Sequence, residues 1–124
     1  MIGRLHHIIL DCRDPRQLAD FYAAVLGQPI TFQSEDFCVV AEREGASGLG
    51  FQRALDHEPP AWPNGGSSQQ IHLDVMVDDV PAAGEAVVAL GARALQPPGV
   101  YADPAGHPFC LIPRPQWAAP MSPG

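Results

Sequence analysis

His7 and His72 each stand seven residues before an aspartate, Asp14 and Asp79, that opens a helix-start pattern. If each histidine begins a strand, alternation puts His7, Ile9 and Asp11 on one face of the first, and His72, Asp74 and Met76 on one face of the second. An imidazole sharing a strand face with a carboxylate can move a proton, orient a ligand or join a metal-binding set. The same pair can also do no more than hydrogen-bond each other. Gln52 and Cys110 fall on the corresponding faces of later strands: the amide could bind substrate or satisfy backbone groups, and the cysteine could ligate as thiolate or fill core space as a small apolar side chain. His107 lies in a tight turn, Asp103-Pro104-Ala105-Gly106-His107, where it could donate to a ligand or sit exposed. Trp62, within Pro59-Pro60-Ala61-Trp62-Pro63-Asn64-Gly65-Gly66, could wall a ligand or pack on a partner subunit. His6 is expected on the surface, facing away from His7.

The elements that would position these residues occur twice. His7 to Cys12 reads as a buried strand, Asp14 as an N-cap and Pro15 as the first helical position. Leu18, Phe21, Tyr22, Val25 and Leu26 recur at helical spacing, and Gly27 supplies a left-handed stop. Ile30 to Arg53 has no helical period and is interrupted by turn residues, so it reads as three strands, about 29–33, 37–42 and 49–53. The order then restarts: a strand from Ile71 to Val77, a helix from Ala82 to Leu90 closed by Gly91, and short strands near 93–96, 99–102 and 108–112. The two histidines are 65 residues apart and the two stopping glycines 64, which marks an internal repeat. The expected architecture is α+β: a single domain over residues 1–124, with module one at about 5–54, a linker at about 55–68, module two at about 69–113 and a tail at 114–124.

Composition narrows the partners. A formal charge of −7 and a sequence pI near 4.9 oppose nucleic acid and anionic lipid surfaces, so neither is expected. No apolar run approaches the roughly 20 residues that span a bilayer, and Met1 to Leu10 lacks the pattern of a signal peptide; a cytoplasmic location is expected. Cys12, Cys38 and Cys110 form neither a CxxC pair nor an even disulfide framework, and reduced thiols are expected. The glycines of Gly45 to Gly50 and Gly65-Gly66 lack a strand-to-helix phosphate-loop context.

The ordered set His7-Ile8-Ile9-Leu10, Asp14-Pro15, Phe21-Tyr22, Leu26-Gly27 and Asp103-Pro104-Ala105-Gly106-His107-Pro108-Phe109 resembles the glyoxalase/bleomycin resistance/dioxygenase group, the vicinal oxygen chelate superfamily, over roughly residues 5 to 113. The resemblance implies two βαβββ modules forming a curved mixed sheet around a cleft, in a homodimer whose cleft is built from one chain or two. It implies metal positions at His7, Gln52, His72 and Cys110, and one divalent ion such as zinc or nickel. Here the chain departs from the family pattern, which usually has glutamate at the last of these positions and often at the second. Gln52 cannot act as a base, and a dioxygenase-type site needs Asp74 or Asp11 to supply the carboxylate. Two functions stand side by side: a metal-dependent lyase or isomerase of glyoxalase type acting on a small oxygenated substrate, and a metal-free bleomycin-resistance-type protein sequestering a small natural product. In both, Asp11, Asp74, Trp62 and His107 are the expected ligand-contacting residues.

Overall fold

The computed structural model describes residues 1–61 and 71–121. The chain forms two compact units, Met1–Glu58 and Pro59–Gly124, and the boundary falls inside the segment read as a linker. Each unit contains one βαβββ module with its own four-stranded mixed sheet.

Module one runs β1 (His7–Cys12), α1 (Pro15–Leu26), β2 (Ile30–Gln33), β3 (Phe37–Val40) and β4 (Gly48–Arg53), in sheet order β1-β4-β3-β2. The helix begins as the sequence predicts. The Asp14 carboxylate accepts from the Gln17 amide at 3.1 Å, Pro15 occupies the first turn, and Gly27 closes the helix at φ 62°. Leu18, Ala19, Phe21 and Tyr22 form its buried face, and Tyr22 stacks on Phe51 of β4 at 5.6 Å. Both rings are almost completely excluded from water, so this stack anchors the helix to its sheet. The parallel β1–β4 pairing matches His7 with Gly48, Ile9 with Gly50 and Asp11 with Gln52. Between Ile30 and Phe32 the β2–β3 register shifts by one, so Thr31 is an extra residue on the edge strand.

Module two runs β5 (Leu73–Val77), α2 (Val80–Ala89), β6 (Arg93–Ala94), β7 (Val100–Ala102) and β8 (Pro108–Pro113), in sheet order β5-β8-β7-β6. Its helix starts two residues earlier than the apolar pattern predicts, because the Asp79 carboxylate caps it at the Ala82 amide, 3.0 Å away. The helix ends at Leu90 in right-handed geometry, and Gly91 follows at φ 117°. Only Gly84 and Val87 of α2 are buried. The aromatic pair here lies on neighbouring strands, Tyr101 over Phe109 at 5.9 Å, and Gly84 makes room for it: a Cβ there would stand 2.2 Å from the Tyr101 hydroxyl. All three cysteines are free thiols, Cys12 and Cys38 buried and Cys110 partly so. No helix among the described residues is long and apolar enough to cross a membrane.

Candidate functional site

Module two gathers its chemistry at the start of its parallel strand pair. Asp74 pairs in register with Cys110, so their side chains share one face, and His72, which the sequence places in the strand, instead precedes β5 and reaches Asp74 from there. The His72 Nε2 is 3.3 Å from Asp74 Oδ1. One donor atom from each of His72, Asp74 and Cys110 lies within 4.8 Å of the other two, and this is the metal-capable group of three found among the described residues. Burial, and then the Asp74 carboxylate beside it, push the Cys110 thiol above its ordinary value.

The donor set fits a divalent ion. Nitrogen, oxygen and sulfur at zinc bond lengths stand about 3.3–3.8 Å apart in a tetrahedron, so the three side chains need to close by about 1 Å. His72 precedes the strand and is half exposed, which leaves its side chain room to do so. Three protein donors leave a four-coordinate ion one open position.

The other expected metal residues are arranged differently. His7 Nδ1 accepts a hydrogen bond from the Gly48 amide at 3.0 Å. A neutral ring in that arrangement carries its proton on Nε2, which makes that nitrogen a donor and leaves it no lone pair for a metal. Burial, and then the neighbouring His6, lower the pKa of His7 and so favour the neutral ring. Gln52 is four positions along β4 from Gly48, the partner of His7, a separation of about 13 Å at the rise of a strand. His7 and Gln52 are therefore not brought together. The module-one residue that matches Cys110 is Gly50: Ile9 matches Asp74 in the repeat, Ile9 pairs with Gly50 and Asp74 pairs with Cys110.

The expected ligand-contacting residues also separate. Asp74 joins the triad, and Asp11 is exposed opposite Gln52. His107 is spent on its own turn: its Nδ1 lies 2.9 and 3.1 Å from the two oxygens of Asp103, a buried carboxylate that also accepts from the amides of Ala105 and His107. The ring thus braces the turn before β8. Trp62 lies outside the described residues. His6, expected to face away from His7, instead sets its ring centroid 3.8 Å from that of His7, because it precedes the strand and escapes strand alternation.

One feature escaped the sequence reading. Module one carries an open pocket of about 430 Å³ lined by His6, His7, Thr31, Phe32, Phe37, Val39 and the turn Glu44–Ala46. The bulge in β2 was the hidden signal, since it turns both Thr31 and Phe32 toward this space.

Residues 7–112 match the family model of the glyoxalase-like domain. Among solved structures, the chain is similar to a glyoxalase/bleomycin resistance protein/dioxygenase family enzyme from Burkholderia phytofirmans (20% identity, TM-score 0.66, covering 88% of this chain and 97% of that one). It is likewise similar to a glyoxalase/bleomycin resistance protein from Albidiferax ferrireducens (20% identity, TM-score 0.60, 91% and 100% covered). The oxidase ChaP-H2 matches at 22% identity and TM-score 0.63, with 93% and 96% covered. No curated protein sequence matches the chain. With the two βαβββ modules and the family match in agreement, the chain belongs to the glyoxalase-like domain family.

Proposed function

We propose that the chain is a metal-dependent lyase or isomerase acting on a small oxygenated substrate, with one divalent ion of zinc or nickel type held in module two by His72, Asp74 and Cys110. The supporting observation is the convergence of three chemically suited donors within 4.8 Å of one another. An ion held there would supply Lewis acidity toward a substrate oxygen. The residues set its character. A thiolate and an imidazole favour zinc or nickel over magnesium, and Asp74 supplies the carboxylate missing from the family position that Cys110 fills. Asp74 also orients His72 through their 3.3 Å contact.

The test is metal analysis of protein purified without a histidine tag or chelator, followed by titration of the metal-free form with zinc and nickel. One equivalent bound, and lost in both His72→Ala and Asp74→Asn, is the expected result. Absence of binding, or full binding retained in both variants, would overturn the proposal and leave metal-free ligand binding as the working function.

A further inference from the structure

The pocket in module one is built differently from the triad. Its walls are Phe32, Phe37 and Val39, with Thr31 and the two histidines as its polar groups beside the Glu44 turn. Apolar walls with a few placed polar groups, at a volume of a few hundred Å³, are what small-molecule sites share. Gly50 lies against the pocket-lining Phe37: it is buried, and a Cβ there would stand 2.6 Å from Ile9 Cδ1 and 2.7 Å from the Phe37 ring. Glycine at the position matching Cys110 thus lets Phe37 and Ile9 lie against the sheet. The Gly48 amide fixes the His7 tautomer, so that Nε2 carries a proton for donation. Phe32 is more than half exposed although it is a large aromatic on a short edge strand, which leaves ring surface for a ligand to cover.

We infer that module one is a metal-free binding site for a flat two- or three-ring aromatic compound carrying a carbonyl or ether oxygen, stacked on one of Phe32 and Phe37 and edged by the other, their rings being tilted 50° to each other, with that oxygen accepting from His7 Nε2–H. Among the described residues Glu44 is the only carboxylate or permanently charged group lining the pocket, so an anionic ligand is disfavoured. The inference rests on module one alone and is independent of the metal proposal.

The experiment uses the full chain carrying Asp74→Asn, in chelator, so that no outcome can arise from the metal site. Three probes are followed by amide and imidazole nitrogen NMR: chromone, which has the acceptor; naphthalene, which lacks it; and 2-naphthoate, an anion. Chromone should bind tightest, with shifts confined to Thr31, Phe32, Phe37, Val39, Ala46 and Gly48 and a change at His7 Nε2. His7→Phe should weaken chromone about tenfold, the worth of one hydrogen bond to a half-buried donor, and leave naphthalene unchanged. Gly50→Ala, which pushes Phe37 and Ile9 into the space, should weaken both neutral probes; it carries the test if His7→Phe fails to fold. Chromone binding no tighter than naphthalene, shifts falling elsewhere, or neutral-probe affinities unmoved by Gly50→Ala would overturn the inference.

Discussion

Across the parallel pair of module one, Ile9 faces Gly50; at the matching place in module two, Asp74 faces Cys110. The histidine preceding each pair follows the same divergence. His7 is fixed by a backbone amide, whereas His72 stands against a carboxylate. One strand order therefore carries an aromatic-walled pocket in one module and a His72-Asp74-Cys110 cluster in the other, and the difference lies in a few side chains rather than in topology. The scaffolds differ too. Module one binds its helix through the Tyr22–Phe51 stack, whereas α2 buries only Gly84 and Val87.

That last contrast makes the largest prediction. Phe51→Ala should cost about 3–5 kcal/mol, since it opens a cavity and removes the ring stacked on Tyr22. Val87→Ala, at the one apolar side chain α2 buries deeply apart from its glycine, should cost no more than about 1.5–3 kcal/mol. Denaturant unfolding of both variants checks the order, and equal losses would break the asymmetry. Next comes Gly48→Ala. The added carbon would stand 2.1 Å from the Val40 carbonyl oxygen and within 3 Å of two Ala41 atoms, a clash with backbone that cannot rotate away, so a loss of about 1–3 kcal/mol is expected. Gly50→Ala meets only side-chain ends and should cost less; thermal melts of the two variants decide it.

Much of this was legible in the sequence. The paired His-to-Asp spacing gave the repeat, both helix caps lie at the aspartates their spacing indicates, and alternation assigned the faces of β1 and β4. Pairing register was not legible. Gly50 and Gln52 share a face, so parity allowed either as the counterpart of Cys110, and the family resemblance pointed to Gln52. The repeat offset is 65 residues from Ile9 to Asp74 but 60 from Gly50 to Cys110, because the connecting strands and turns of module two are shorter. That shortening cannot be assigned before the strands are paired. His6 and the β2 bulge escaped for the same reason, since neither obeys a strand period.

Smaller effects sharpen the comparison further. Asp14→Ala and Asp79→Ala remove equivalent caps and should each cost about 1 kcal/mol, read from unfolding midpoints; a much larger loss at one would mean that its carboxylate does more than cap. The smallest effect is a pH slope. His7 has a lowered native pKa, with His6 and Glu44 the titratable groups lining the pocket beside it. Its neutral form is favoured on folding, so its contribution to stability is full above the unfolded value of about 6.5 and is lost as pH falls through the lowered native value. Urea unfolding on either side of that range should show a shallower pH dependence in His7→Phe than in the parent protein, and an unchanged slope would contradict the neutral tautomer.

Cobalt(II) substitution followed by optical spectroscopy tests the divergence of the two modules most directly. The account predicts one tightly bound equivalent with a thiolate-to-cobalt charge-transfer band that disappears in Cys110→Ser and persists in His7→Phe. Loss of cobalt binding in His7→Phe, with the band unaffected by Cys110→Ser, would place the metal with module one and contradict it.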